Sequence, residues 1–191
     1  MADKNNTANV SAVKGVQGGY CFVAPYGATL PTDNKAQLDA AFKNLGFIGE
    51  DGVTFSDSSS SNSFYDMNGD VVDTSASSVE KSWTAKFIEV KKDVLALCYG
   101  EEAVSEEGGV IKVVDGGPNG ASYSAVFELL LKNGRKWRRV VPQCKPSELG
   151  DMVASGTEVS GREVTMSVLK DSAAGAYYVD YIDSAAESEA E

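Results

Sequence analysis

Residues 123–141, which read YSAVFELLLKNGRKWRRVV, decide the fold class of this chain. In the first half of this stretch every second residue is apolar, which is the period of a β-strand with one buried face; the residues are Tyr123, Ala125, Phe127, Leu129 and Leu131. Asn133-Gly134 then predicts a tight turn, and residues 135–141 predict the returning strand. The stretch is therefore typical of an antiparallel hairpin.

Strand patterns recur on both sides of this hairpin. The further predicted strands are short apolar or alternating runs at residues 20–24, 82–87, 110–114, 162–169 and 176–182. The last two runs are predicted to pair with one another. Asn68-Gly69 predicts a second tight turn, with short apolar runs on either side of it.

Two segments have helical patterns. Residues 90–99 place Val90, Val94, Leu97 and Cys98 at helical spacing, and Gly100 follows as a stop signal. Residues 32–45 predict a second, short helix, which Thr32 or Asp33 would cap and Gly46 would end.

These elements predict a mainly β protein, an antiparallel β-sandwich or partly open barrel with one flanking α-helix at about residues 90–99. The chain shows no internal repeat and no linker. We therefore expect one domain over residues 1–191, with an N-terminal arm at 1–18 and a frayed acidic tail at 184–191.

Composition excludes several classes of function. The chain has 28 acidic and 17 basic residues, a formal net charge of −11, and no histidine. A protein of this charge repels DNA on average. Without histidine, Ser-His-Asp and Cys-His catalytic sites and His-based zinc sites are excluded. Chemistry that uses carboxylates alone survives this test.

The remaining candidates for chemistry are weak. Three tyrosines beside two acids form one group, at Tyr177, Tyr178, Asp180, Tyr181 and Asp183, which strand packing explains better than catalysis. The Asp66–Asp70 segment lacks the glycine and glutamate that a calcium loop needs at its sixth and twelfth positions. The three cysteines are predicted to be reduced core residues. The sequence thus predicts no enzyme, no metal, no cofactor and, since no apolar run reaches roughly 20 residues, no membrane span.

Two polar segments are candidate interaction sites. One is a serine-rich segment, which is predicted to leave the edge of the sheet and to have no ordered structure of its own. It consists of Ser56, Asp57, Ser58, Ser59, Ser60, Ser61, Asn62 and Ser63. The other is a basic hairpin, which could be a solvated face or could contact an acidic neighbour of the same kind, made of Lys132, Arg135, Lys136, Arg138 and Arg139.

The order of the segments resembles the major tail tube proteins of siphophages. The similar segments span nearly the whole chain: GYCFVAPYGATLPTD at 19–33, LDAAFKNLGFIGEDG at 38–52, NGDVV at 68–72, WTAKFIEVKKDVLALCYG at 83–100, RRVVP at 138–142, and 164–171 with the strand that reaches Asp183.

The resemblance implies a structural subunit of the phage tail, made in the host bacterial cytoplasm. It implies homohexameric rings that stack into a tube, which encloses the tape-measure protein and conducts DNA at ejection. The expected partners are other copies of the chain, the tape-measure protein, the tail terminator and distal tail proteins, and DNA in transient non-specific passage. It further implies that the segment at 56–63 reaches the adjacent ring.

Two alternatives stay open. One is a non-polymerising β-sandwich for capsid decoration or host adhesion. The other is a carboxylate hydrolase, which would need two acids that converge in a pocket.

Overall fold

A computed structural model describes residues 5–157 and 159–184. Eleven strands lie in these residues: β1 Lys14–Gly15, β2 Cys21–Pro25, β3 Lys43–Asn44, β4 Ile48–Tyr65, β5 Val71–Phe87, β6 Val104–Glu107, β7 Val110–Val113, β8 Tyr123–Leu130, β9 Lys136–Leu149, β10 Arg162–Val168 and β11 Val179–Ile182. One α-helix, α1, spans Lys92–Tyr99, and three short 3-10 helices cover Thr7–Asn9, Glu101–Ala103 and Lys132–Gly134. The expected tail, apart from Ser184, and the first four residues of the expected arm lie outside the described residues.

Nine strands form one antiparallel sheet in the order β3-β2-β8-β9-β10-β5-β4. Strand β1 adds to β8 beside β2, and β11 adds to β9 beside β10, while β6 and β7 form a separate hairpin. The prediction of a mainly β, antiparallel fold with one helix is confirmed. The predicted pairing of the last two strands is wrong, because β10 pairs with β9 and β5 and leaves β11 to pair with β9.

The core lies where the inward faces of this sheet meet. The alternating patterns predicted these faces correctly, since the residues expected to point inward on β5, β8 and β10 are buried. Phe127 occupies the centre, with its ring edge-to-face against Trp83 at 5.2 Å and against Phe55 at 5.1 Å between centroids. Edge-to-face packing of this kind favours the aromatic pairs beyond the area they bury.

Helix α1 covers one side of the core and confirms the helix predicted at 90–99. Val94, Leu97 and Cys98 are buried on its inner face. Gly100 ends it with φ +97°, a conformation that favours glycine, and its N–H donates to the Ala96 carbonyl at 2.8 Å.

The helix predicted at 32–45 is absent. The Asp33 carboxylate accepts the backbone N–H groups of Lys35 and Ala36, as a helix cap would, but the chain then bends instead of winding. The carbonyl groups of Asp33 and Ala36 accept from Arg138, a residue of β9. These tertiary bonds replace the bonds of a second helical turn, so local propensity is overridden.

Strands β4 and β5 extend far beyond the core as a two-stranded arm, here defined as residues 56–80. Every residue of the arm is exposed, whereas β5 from Trp83 onward belongs to the core. The Asn68-Gly69 turn is confirmed, with Gly69 at φ +87°. The prediction that residues 56–63 have no ordered structure of their own is wrong, because they form the outer part of β4 and pair with β5. Backbone pairing with a neighbouring strand stabilises a segment that has little apolar surface to bury.

The strand predicted at 110–114 forms β7 and pairs with β6, a strand that was not predicted. Part of the expected N-terminal arm is also attached to the sheet, because Lys14 and Gly15 pair with Leu130 and Leu129 of β8.

Candidate assembly surfaces

The part of the arm between the core and the turn carries small polar side chains. Serine hydroxyls bridge its two strands, with Ser60 Oγ 2.8 Å from Ser77 Oγ and 2.7 Å from Ser78 Oγ. At the base of the arm, Lys81 Nζ lies 2.7 Å from a carboxylate oxygen of Asp57. An ion pair therefore joins the two strands at the base of the arm, and the paired strands beyond it have no hydrophobic face.

The tip of the arm, residues 64–72, has a different chemistry. Its turn is held by the Asp66 carboxylate, which accepts the backbone N–H groups of Asn68 and Asp70 at 2.8 and 2.9 Å. These bonds hold the pKa of Asp66 below its usual value. Five large apolar side chains are nevertheless exposed around this turn: Phe64, Tyr65, Met67, Val71 and Val72.

The outer edge of β4 is unpaired. Among the described residues, β4 pairs with β5 alone, although it is 18 residues long. A long strand edge presents a row of N–H and C=O groups that another strand can pair with. The edge is therefore a surface on which a second chain can add.

Arg138, one of the five residues of the predicted basic hairpin, points into the protein. Its Nε donates to Glu128 Oε1 at 2.7 Å, and its Nη2 lies 2.6 Å from the same oxygen. Its Nη1 donates to the carbonyl groups of Asp33 and Ala36 at 2.7 and 2.9 Å. Since the residue is only 5 % exposed, it is a structural cation and does not belong to an interaction surface.

Arg139 is also bonded within the chain. Its Nε and Nη2 donate to the two carboxylate oxygens of Asp180, each at 2.8 Å. The guanidinium lies over the rings of Phe55 and Tyr178, with centroid distances of 4.4 and 4.9 Å. It thus fastens β11 to β9 and covers the aromatic core at that end.

The other three basic residues lie around the turn. Lys132 and Lys136 are exposed, and Arg135 is half-buried, with Nη1 donating to the Asp183 carbonyl at 3.3 Å. Of the predicted basic set, the structure leaves Lys132 and Lys136 as exposed cations at this end of the sheet.

The tyrosine and aspartate group is part of the same packing. Asp180 binds Arg139 and accepts from Trp137 Nε1 at 2.7 Å. Asp183 accepts from the Lys136 backbone and from Asn34, which holds its pKa below the usual value. A carboxyl group with a lowered pKa is a poor general acid near neutral pH. Burial raises the pKa of Tyr178 to about 12, with the Asp57 charge adding to the effect.

The cysteines are buried and not cross-linked, as predicted. Burial raises the pKa of Cys98 to about 11 and that of Cys144 to about 12, and it raises that of Cys21 further still. Within the described residues, no three side chains of the His, Cys, Asp and Glu types are grouped to hold a metal ion. No helix in that part of the chain has the length and apolar character to cross a membrane.

An open pocket of about 590 Å³, here called the end pocket, lies where the start of β4 passes β1, β8 and β9. Its apolar lining includes Val13, Ile48, Val53, Leu129 and Trp137, and its charged lining residues are Lys14, Glu50 and Asp51. Neither the pocket nor the apolar tip was predicted from the sequence. The tip had a visible signal, five large apolar residues around a turn in an otherwise polar segment.

An antiparallel sheet with a long unpaired edge, a projecting arm and an apolar arm tip defines a β-protein built for contact with other protein chains. The chain belongs to the phage tail tube protein family, whose model matches residues 4–190. This is a family of structural proteins of the virion, so the resemblance to phage tail tube proteins is confirmed at the level of the family. No curated protein sequence matches the chain.

Among solved structures, the chain is similar to one in the sheath–tube complex of an extracellular contractile injection system, PVC, in its extended state. The two are 8 % identical, with a TM-score of 0.38 over 93 % of this chain and 96 % of that chain. A likeness this distant adds nothing to the assignment, which rests on the family.

Proposed function

We propose that this chain, as one tail-tube domain over residues 1–191, forms hexameric rings that stack into the tube of a siphophage tail. The tube would enclose the tape-measure protein during assembly and conduct DNA at ejection. Family membership supports the tube, and the observation that carries the assembly is the unpaired 18-residue edge of β4.

An unpaired edge of this length favours closure between copies. Left in solvent, it would promote indefinite association with other strands. If each copy adds the core part of its β4 edge, residues 48–55, to a neighbour in a ring that closes, that part is paired in every copy and growth in that direction stops, while residues 56–65 of β4 remain in the arm. Rings are therefore the arrangement in which this edge is satisfied.

A ring of six copies would have a lumen wide enough for DNA. If each copy supplies four strands spaced ~4.8 Å apart and tilted by ~40°, the backbone ring is roughly 45–50 Å across. Side chains on the wall then leave roughly 35–40 Å, more than a DNA duplex needs. The net charge of −11 would keep the duplex from adhering to the protein.

The arm is the candidate contact between rings. It contains the serine-rich segment at 56–63, projects from the core on one side, and contributes nothing to the core. Since its residues are exposed on both strands, its role lies outside the protomer. Contact with the next ring is the role we assign to it.

The other proposed partners follow from the same assembly. The tape-measure protein would lie in the lumen, and the tail terminator and distal tail proteins would close the two ends. Synthesis would take place in the host cytoplasm. Lys132 and Lys136 would face an acidic surface of a neighbouring copy, because like charges across an interface are penalised and opposite charges are favoured.

Removal of the arm tests the proposal. Ser58 pairs with Glu80, so replacing residues 59–79 by Asn-Gly leaves a two-residue turn across a paired position. The parent protein should form rings and tubes by negative-stain microscopy as its concentration rises, and the armless variant should keep its thermal unfolding midpoint but form no tubes. A parent that stays monomeric by light scattering over a wide concentration range would instead support the non-polymerising decoration or adhesion protein. Normal tubes from the armless variant would show that ring stacking lies elsewhere.

A further inference from the structure

The chain contains three Asn-Gly pairs, which are Asn68-Gly69, Asn119-Gly120 and Asn133-Gly134. Asparagine is a thermolabile residue, and it is most labile before glycine, because a residue without Cβ leaves its backbone nitrogen open to reach the asparagine side chain. The sequence alone therefore gives the three pairs the same reactivity. In the folded protein their surroundings differ.

Asn119 is held by its side chain. Its Nδ2 donates to the carbonyl group of Leu97 and to the hydroxyl of Tyr123, each at 2.9 Å, and its Oδ1 accepts the backbone N–H of Ala121 at 3.0 Å. The residue is also half-buried. Its side-chain carbon can reach the nitrogen of Gly120 only if these hydrogen bonds break, so this pair is protected in the folded state.

Asn68 is held by a carboxylate. Its backbone N–H and its Nδ2 donate to the two carboxylate oxygens of Asp66, at 2.8 and 3.1 Å. Loss of a proton from the nitrogen of Gly69 would place a negative charge close to this carboxylate, and Asp70 is the next residue along the chain. Like charges near one another raise the energy of that state, so reaction at this pair is slowed.

The side chain of Asn133 is not restrained in this way. Asn133 and Gly134 are both exposed, at the turn between β8 and β9. Within residues 5–157 and 159–184, no hydrogen bond holds the side-chain amide of Asn133. The amide is therefore free to turn toward the nitrogen of Gly134.

The charge around Asn133 favours reaction. Three basic residues lie within three positions of it, namely Lys132, Arg135 and Lys136. Positive charges stabilise the negative charge that develops when the nitrogen of Gly134 loses its proton. The acid bonded to this hairpin, Asp183, is already occupied, since its carboxylate accepts the Lys136 N–H at 2.9 Å and the Asn34 amide at 2.6 Å.

We propose that Asn133 is a site of spontaneous modification, and the first of the three asparagines to lose its side-chain amide in the folded protein. The nitrogen of Gly134 gives its proton to water and bonds to Cγ of Asn133. The Cγ–Nδ2 bond then breaks, ammonia leaves with a proton taken from water, and a cyclic imide remains. Water opens the imide at either carbonyl, which gives aspartate or isoaspartate. One water is consumed and one ammonia is released, and no electrons are exchanged with another molecule.

The modification changes the turn in two ways. Each product carries a carboxylate in place of a neutral amide, which lowers the positive charge of a turn whose exposed cations are Lys132 and Lys136. Aspartate can keep the backbone conformation of Asn133, which has φ +62°, because Asp also adopts this conformation, whereas isoaspartate lengthens the backbone and alters the turn. The modification does not depend on the proposed assembly. If the lysines face an acidic surface of a neighbouring copy, conversion also weakens that contact.

Peptide mass spectrometry tests the site in the full-length protein, below the concentration of assembly. Samples are held in mildly alkaline buffer for increasing times and then digested in mildly acidic buffer. The fraction of acid at each of the three asparagines is measured, with isoaspartate separated from aspartate. The same series in urea is the control, in which no folded contact restrains any of the pairs.

Conversion at Asn133 should be about fivefold faster or more than at Asn68, which is the effect of one unit charge at ~4 Å in water. Asn119 should stay unchanged in the folded protein, and the three rates should come together in urea. Equal rates in the folded protein, or a faster rate at Asn68 or Asn119, would overturn the proposal.

Two variants test the stated causes. Asp66→Ala removes the carboxylate that holds Asn68, so it should raise the rate at Asn68 and leave the rate at Asn133 unchanged. Lys132→Gln with Lys136→Gln should slow Asn133 and leave Asn68 unchanged, and because both lysines are exposed the exchange costs little stability. If neither variant shifts the rate at its own turn, these charges do not set the order and the proposal fails. None of these outcomes bears on tube formation, so the proposed function is tested separately.

Discussion

Replacing Arg138 by methionine removes a guanidinium that closes one end of the core. The residue is 5 % exposed and makes four close polar contacts, two with Glu128 and one each with the carbonyl groups of Asp33 and Ala36. Methionine fills part of the space but leaves the Glu128 carboxylate without its counter-ion and both carbonyl groups without a donor. Breaking a buried ion pair from one side costs roughly 3–5 kcal/mol.

The assay is urea unfolding of the protomer at a concentration below that of assembly. For a slope of about 2 kcal/mol per M urea, the loss would lower the midpoint by roughly 1.5–2.5 M. Lys136→Met, two residues earlier on the same strand and exposed, is the matched control and should change the unfolding free energy by about 0.5 kcal/mol or less.

A double variant separates the ion pair from the rest of the contact. Arg138→Met with Glu128→Met should recover part of the loss, because replacing both partners of a buried pair by apolar residues is often neutral. If Arg138→Met unfolds within about 1 kcal/mol of the Lys136→Met control, the guanidinium is not structural. Arg138 would then return to the surface set predicted from the sequence.

Three further results are expected. The Asp171 carboxylate accepts the Ala174 backbone N–H at 2.6 Å and the Tyr26 hydroxyl at 2.7 Å, and these bonds lower its pKa. The carboxylate therefore stabilises the fold above its ordinary pKa and loses this effect as the pH falls through the folded-state value. Asp171→Asn should unfold at lower urea than the parent at pH 7, and the gap should close toward pH 3. A thiol reagent at pH 8 should label the native protein far more slowly than the protein in denaturant, where three thiols per chain react, since burial suppresses the thiolates; rapid labelling of the folded protein would contradict the raised pKa values. Phe127→Ala should cost about 3–5 kcal/mol and weaken the near-UV circular dichroism, because it removes the ring at the centre of the aromatic cluster; a loss below 1 kcal/mol would show that the cluster repacks.

The strands that were predicted correctly are those in which the residue pattern alone identifies the buried face. On β5, β8 and β10, alternation identifies the buried face without knowledge of the neighbouring strand, and the same residues are buried in the structure. Helix α1 was predicted because its apolar spacing and its final Gly100 agree. In these elements the local signals agree with one another and with the packing of the whole chain.

The errors arose where a partner outside the segment itself decides the outcome. Residues 32–45 have an apolar face and a capping Asp33, yet Arg138, about a hundred residues later, takes the carbonyl groups that a helix would use. Residues 56–63 have no apolar pattern, yet pairing with β5 makes them a strand.

The basic hairpin illustrates the same limit for the candidate site. Its arginines look equivalent in sequence to its lysines, but Glu128 and Asp180 bind two of them within the protomer. The end pocket could not be predicted, because its walls come from three separate parts of the chain, β1, β4 and the β8–β9 hairpin. Sequence patterns place residues on faces, whereas sites of this kind depend on which faces meet.

The strand order also governs how the chain reaches its folded state. The β4–β5 hairpin joins neighbouring segments and can form within microseconds, but β2 pairs with β8, about a hundred residues later. During synthesis at ~5–20 residues per second, β2 waits roughly 5–20 s for that partner. The arm is therefore complete, with its outer edge and apolar tip exposed, well before the core that supports it closes. A growing chain therefore exposes the surfaces with which it contacts other copies before its own core has formed. Slower translation between residues 87 and 123 would lengthen that exposure.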